Sequence, residues 1–159
     1  MTRIGTTRPS AVTITGTRSA GHRDLEDYPA LFGTYIRPFA VPGTRFYLGG
    51  ATGIDSIALQ WLAWETSADL HVVVPALLED QPADARHAVA IVRADSRLAE
   101  LTELKGTLNT SGYHARNRWM ADRSEMVIGF PLAGQDSGGA VWTLDYARSL
   151  GLPCLTVPV

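Results

Sequence analysis

Three short turns, Gly16-Thr17-Arg18, Gly49-Gly50-Ala51-Thr52-Gly53 and Ser137-Gly138-Gly139, each follow an apolar, β-like run and precede a segment with helical patterning. In that position the backbone itself can do chemistry. Glycine admits conformations and close approaches that a β-carbon forbids, and a helix N-terminus presents unpaired N–H groups carrying roughly half a positive charge. Such a junction binds an anion, a phosphate above all. Alone, each loop reads first as a tight turn. Neither Gly49 to Gly53 nor Ser137 to Gly139 matches G-x-G-x-x-G or the Walker ending Gly-Lys-Ser/Thr, so no generic dinucleotide or triphosphate site follows. Three such turns opening on one edge of one sheet carry more weight than any one of them, and their residues are the candidate ligand contacts.

A second group lies in Tyr113-His114-Ala115-Arg116-Asn117-Arg118-Trp119-Met120-Ala121-Asp122-Arg123. Helical spacing puts Arg116, Met120 and Arg123 on one face. If that face looks onto the glycine edge, Arg116 clamps a phosphate bidentately and Asn117 bonds a sugar or base. The alternative is a solvated basic face paired with Asp122 and Glu125. Asp55 and Asp145 each follow a glycine turn by a few residues. They suit general acid–base work or a ribose hydroxyl, and equally a plain interaction with a helix N-terminus. His22, His71, His87 and His114 lack metal-ligand spacing, so neither a metal nor another cofactor is expected. Cys154, the single cysteine, excludes an internal disulfide and reads as a small buried hydrophobe.

The elements that must position these groups alternate along the chain. Ala11 to Thr15, Arg45 to Leu48, Leu70 to Val74 and Glu125 to Phe130 are β-runs. Leu101 to Leu108 reads as a short strand and loop. Leu25 to Phe39 is a looser helix weakened by Pro29 and Gly33. Ile54, Ile57, Ala58, Trp61 and Leu62 form the stripe of a core-facing helix, with Trp61 and Trp64 as packing and surface cover. Helices are also expected over about Ala83 to Arg93, and over Tyr113 to Arg123 with capping by Thr110-Ser111-Gly112. A last helix with Ala140, Leu144, Ala147 and Leu150 on one face ends at Gly151 and Pro153, before a final strand. The alternation predicts an α/β fold: a single Rossmann-like, three-layer α/β/α domain with a mainly parallel sheet and right-handed crossovers. In such sheets ligands sit beyond the carboxyl ends of the strands.

At 159 residues there is room for one domain, taken as 11–159 after a flexible start over 1–10. A net charge of −2 gives no general attraction to a polyanion, so any nucleic-acid role rests on a local patch. No apolar stretch reaches the ~18–20 residues of a membrane span and no signal-peptide core is visible, which points to the cytoplasm.

Taken together, Thr15-Gly16-Thr17-Arg18, the turn from Gly49 to Asp55, Arg116-Asn117-Arg118 and the segment from Ser137-Gly138-Gly139 through Tyr146-Ala147 to Pro153 resemble the SLOG superfamily. The branch they are most similar to is the Rossmann core of the DprA/Smf family. The resemblance covers roughly residues 10 to 158. Arg116 is similar to the Arg of an M-x-x-R-K motif, and Gly138-Gly139 to a P-G-G-x-G-T-x-x-E turn. Ser137 replaces the Pro of that turn, the Thr comes later as Thr143, and the nearest acid is Asp145, out of register.

The resemblance implies a pocket lined by the glycine loops and the Arg-Asn helix, and a homo-oligomer. In DprA that surface binds single-stranded DNA, and in Lonely Guy enzymes a similar Arg with a Glu splits nucleoside monophosphates into base and ribose phosphate. Three functions follow for this chain. The first is binding of a nucleotide or nucleotide-derived phosphate as a sensor or accessory module. The second is N-glycosidic hydrolysis by Arg116 with Asp145 or Asp55. The third is single-stranded DNA binding, with stacking aromatics such as Trp119 or Tyr113.

Overall fold

The computed structural model describes residues 8–159; of the polar start, residues 1–7 lie outside the described residues. Six strands form one sheet: β1 (Ala11–Gly16), β2 (Arg45–Leu48), β3 (Asp69–Val74), β4 (Leu98–Glu103), β5 (Met126–Phe130) and β6 (Cys154–Thr156). Their order is β4-β3-β2-β1-β5-β6, and every pair is parallel. Five helices connect them: α1 (Asp27–Tyr35), α2 (Ile54–Glu65), α3 (Ala83–Ala94), α4 (Thr110–Asp122) and α5 (Gly139–Ser149). This is the expected Rossmann-like α/β/α architecture.

Side-chain parity along the strands divides the core. Val12, Ile14, Phe46, Leu48, Leu70 and Val72 point to one face, where they pack with Phe32 of α1, Trp61 of α2 and Val89 of α3. The intervening residues point to the other face, where Tyr47 and Val73 meet Met120 of α4, and Val127 meets Leu144 and Ala147 of α5. On that second face β1 carries Thr13 and Thr15, and the buried Thr13 hydroxyl is bonded to Ser124 Oγ at 2.7 Å. With the inner strands covered on two sides, near-continuous apolar runs such as Leu70 to Val74 are what burial requires.

The chain moves from β1 outward to β4, then returns across the sheet through α4 to place β5 on the other flank of β1. The loops leaving β1 and β5 therefore diverge to opposite faces, and the crevice between them is the topological switch point. Thr17 N–H donates to Phe130 O at 3.0 Å and ties the two strand ends together.

Local differences from expectation have local causes. The first helix ends at Tyr35 and gives way to a 3-10 turn, Arg37–Phe39. Pro29 lies in the first turn of α1, where its missing N–H costs nothing; Pro38 is the residue that cannot continue the helix. The fourth strand starts at Leu98 rather than Leu101, since as an edge strand exposing Glu100 and Glu103 it lacks an apolar signature. Helix α4 starts at Thr110, capped by Asn109, whose side chain accepts the Gly112 N–H at 3.0 Å. Cys154 is half-buried on edge strand β6.

Gly53 ends the turn from β2 into α2 and packs against the turn after β1. Its φ is +84°, and an added β-carbon would lie 2.5 Å from Thr17 O and 2.6 Å from Arg18 O. Gly53→Ala is expected to lower the unfolding free energy by about 1–3 kcal/mol, read as a reduced urea midpoint at unchanged m-value.

Candidate functional site

At the switch point the carboxyl ends of β1 and β5 open into a cavity of about 770 Å³. One wall is the turn after β1, from Thr15 to Ser19; the opposite wall is the loop after β5 and the first turn of α5, from Pro131 to Trp142. Gly138 precedes α5 with φ +120°, and no side chain caps the helix. The first-turn N–H groups of Gly139, Ala140 and Val141 lack intrahelical partners by helix geometry and stand at the cavity wall. The structure thus brings together two of the three glycine turns.

The remaining turn has a different place. Ala51 and Asp55 reach the cavity wall, whereas Gly49, Gly50, Thr52 and Gly53 lie beneath or beside it. Their groups are committed: Gly50 O accepts Gln81 Nε2 at 2.7 Å, Thr52 Oγ1 donates to Asp84 at 2.8 Å, and the Ile54 N–H that opens α2 donates to Thr17 O at 3.1 Å. Thr143 is fully buried, donates to Gly139 O at 2.7 Å within α5, and is not on the wall.

Arg116 and Asn117 project from α4 into the floor and are 4% and 5% exposed. Arg116 Nη1 donates to Gly49 O, and its Nε donates to Asn117 Oδ1 at 2.6 Å. Asn117 therefore orients the guanidinium. Gly49 must be glycine for this contact: an added β-carbon would fall 2.7 Å from Arg116 Nη1 and 2.9 Å from Asp55 Oδ2. Asp55, on α2 and buried, accepts the Ala51 N–H at 3.3 Å. Burial raises its carboxyl above the ordinary aspartate range, and the nearby Arg116 charge only partly opposes that. Burial likewise pulls the Arg116 guanidinium below its usual value, with Asp55 acting the other way.

Arg18, exposed at the mouth, lies with Cζ 4.6 Å from the centre of the Tyr113 ring; Arg116 Cζ is 6.0 Å from the same ring. Among the described residues Arg18 has no carboxylate within ion-pair distance. Asp145 reaches the rim but is exposed and paired with Arg148 at 3.1 Å.

The expected face of Arg116, Met120 and Arg123 divides. The first two are buried, while Arg123 turns out to solvent and lies 3.8 Å over the Trp119 ring. Trp119 itself packs edge-on against Tyr47 and His71. Asp122 and Glu125 do not pair with the arginines: Asp122 accepts the Tyr146 hydroxyl at 2.5 Å, and Glu125 accepts the Ser10 N–H at 3.0 Å. Sequence reading missed a parallel aromatic stack beside the cavity. His114 lies 4.0 Å from Trp142 at 6°, and Trp142 lies 5.4 Å from Tyr146 at 5°, with Arg118 Cζ 5.8 and 5.7 Å from the latter two rings. Its signal was present as two i, i+4 pairs, His114/Arg118 and Trp142/Tyr146, but not the packing of α4 on α5 that joins them.

Among the described residues no group of three or more His, Cys, Asp or Glu side chains is placed to hold a metal ion, and no helix is long and apolar enough to cross a membrane. No family model and no curated protein matches the chain. Solved structures that share its fold include two of DNA processing protein A. DNA processing protein A from Helicobacter pylori, described for its single-stranded DNA binding mode, superposes with a TM-score of 0.66 at 20% identity, over 94% of this chain and 65% of that one. DNA processing protein A (DprA) from Streptococcus pneumoniae superposes with a TM-score of 0.65 at 16% identity, over 95% and 54%. The chain therefore spans less than two thirds of either neighbour's length, and the likeness is one of fold.

The Asp55 environment has a pH signature. Because its folded-state pKa is raised, the native state holds a proton that the unfolded chain releases as pH climbs from the ordinary aspartate range; across that window stability falls with rising pH. His71, whose pKa burial lowers, contributes with the opposite sign below neutrality. Asp55→Asn should remove only the first component. Urea unfolding at a series of pH values should show the variant gaining on the original protein as pH rises through the Asp55 window.

Proposed function

We propose that the protein binds a nucleotide or nucleotide-derived phosphate in the switch-point cavity, as a sensor or accessory module. The observation that carries this reading is the meeting of the uncapped α5 N-terminus, across a cavity of about 770 Å³, with Arg18, which has no carboxylate partner among the described residues. That size lies within the ~300–1,000 Å³ common for small-ligand sites. The phosphate lies against the amides of Gly139 to Val141, where dipole and N–H groups both favour an anion. Arg18, exposed at the mouth, supplies the countercharge. Arg116, its Nε and Nη1 already engaged, shapes the floor and contributes a fixed positive field.

The test is a thermal-shift and calorimetry panel of nucleoside mono- and diphosphates. A ligand at ~100 times its dissociation constant stabilises the fold by ~2.7 kcal/mol. Arg18→Ala is expected to weaken such a ligand by about 10–100-fold, the worth of a lost charged hydrogen bond, with little change in the stability of the free protein. A panel in which no phosphate-bearing compound shifts the midpoint would end the proposal. Chromatography of the same mixtures reads hydrolysis: Asp55 and Asp145 are the carboxylates it would use, and released base would turn the binding protein into an enzyme.

A second reading, single-stranded DNA binding, is favoured by one feature: the His114–Trp142–Tyr146 stack with Arg118 beside it, on a fold shared with the DprA structures. Aromatic platforms beside cations are how single strands are held without sequence preference. On this reading Arg118→Ala weakens a short oligonucleotide and reduces the salt slope of its binding by about 0.7, the share of one phosphate contact on a single strand. Fluorescence anisotropy at several salt concentrations checks it, and a slope identical in both proteins counts against it.

A further inference from the structure

Buried polar side chains meet at the floor of the large cavity, and each has hydrogen-bonding capacity that the protein leaves unused. Thr15, Asp55, Arg116 and Asn117 are 7%, 7%, 4% and 5% exposed, and all of them border the cavity. Arg116 gives Nη1 to Gly49 O and Nε to Asn117 Oδ1 at 2.6 Å, which leaves Nη2 of the first residue and Nδ2 of the second without a partner among the described residues. Asp55 accepts the Ala51 N–H through Oδ2 at 3.3 Å, and the Gly49 N–H also favours its ionised form; its Oδ1 is free. Thr15 Oγ1 has no partner among the described residues, unlike the Thr13 hydroxyl, which is bonded to Ser124 Oγ. No side-chain polar atom wholly shielded from solvent lacks a partner among the described residues, so these free atoms keep access to an open space. For Thr15, Asp55 and Asn117 that space is the large cavity; Arg116 borders a smaller chamber of about 240 Å³ as well.

Every other polar side chain on the lining, from Arg18 and Tyr113 at the mouth to Gln135 and Asp136 on the opposite wall, is partly or fully exposed and keeps water of its own. The floor itself is mixed in character. It offers a carboxyl oxygen, two nitrogen donors and a hydroxyl that can play either part. An anionic group set among them satisfies Arg116 and Asn117 but opposes the Asp55 carboxylate, and a cationic group does the reverse. A hydroxyl donates and accepts at once, and neighbouring hydroxyls do so within a single ligand. Asp55 bonds a hydroxyl whether it is ionised or protonated. Because buried polar groups are costly to leave unmet, the ligand that answers all of them gains most.

Asn117 Nδ2 lies 3.9 Å from the place a β-carbon on Gly139 would occupy, so the floor adjoins the first residue of α5. In a nucleoside 5′-phosphate the part bonded to the phosphate is the sugar. We infer that Thr15, Asp55, Arg116 and Asn117 seat the sugar of the nucleotide and hold its 2′,3′-diol, so that the site prefers ribonucleotides to 2′-deoxyribonucleotides. The inference rests on the nucleotide reading above, with the phosphate at the α5 N-terminus. It also separates that reading from single-stranded DNA binding, which rests on the aromatic stack and brings no 2′-hydroxyl.

Isothermal titration compares AMP, GMP, CMP and UMP, each with its 2′-deoxy counterpart, and ribose 5-phosphate with 2-deoxyribose 5-phosphate. In every pair with measurable binding the ribo form is expected to bind at least about fivefold more tightly, the effect of leaving a buried polar group unmet. Thr15→Val keeps the branched shape of the side chain and breaks no hydrogen bond within the described residues, and Asp55→Ala removes the free oxygen. In at least one of these variants, shown folded by circular dichroism, the ratio should fall towards one. Deoxy forms that bind as tightly as their ribo counterparts, or ratios that persist unchanged in every folded variant, would overturn the sugar seat and leave the nucleotide reading standing. Failure of every nucleotide and of both sugar phosphates to bind would overturn both.

Discussion

A guanidinium buried under the end of β2 is the constraint around which the site is arranged. Taking a charge from water is costly unless hydrogen bonds and an opposite charge meet it. Arg116 is met by the Gly49 carbonyl, by Asn117 and by the field of Asp55, which itself is stabilised by the same guanidinium. The geometry closes only because position 49 has no β-carbon. The missing β-carbon leaves room for the Arg116 guanidinium and the Asp55 carboxylate against the strand end, and the same helix α4 brings Tyr113, His114 and Asn117 to the cavity. The same crowding makes the Gly49 turn a structural foundation for the site, while the turns after β1 and β5 line the cavity.

Much of the fold could be read from the residues. Apolar runs with Gly or Pro at their ends located the strands of the sheet interior, and the stripe of Ile54, Ala58, Trp61 and Leu62 identified α2, because burial on a regular element leaves a periodic trace. Where burial is slight the trace fades: β4, at the sheet edge, was placed three residues late, and the break after α1 came from Pro38 rather than from the suspected Pro29 and Gly33. These are errors of boundary, set by capping and edge exposure rather than by the hydrophobic pattern.

The site was legible in part, for a similar reason. Glycine turns at strand ends mark where a backbone can face a ligand, so Gly16 to Arg18 and Ser137 to Gly139 were visible, as was the Arg116–Asn117 pair. Which polar groups remain available is a property of three-dimensional partners. Nothing local says that Thr52 is taken by Asp84, that Thr143 turns back on its own helix, or that Gln81 crosses to Gly50. The aromatic stack is hidden likewise, because its halves lie on α4 and α5 and only the packing of those helices sets His114 against Trp142.

The cavity's two walls differ in how firmly they are held. The side after β1 is pinned by Gly53 and by the bond from Ile54 N–H to Thr17 O, so any change there disturbs α2 as well. The side from Leu132 to Gly138 is largely solvent-exposed, with Gly134 and Gly138 at positive φ and open space around both. Surface loops accept insertions and substitutions at little thermodynamic cost. Chemical variety in what this scaffold accommodates can therefore accumulate along a single margin of the opening, leaving the framework beneath it unaltered.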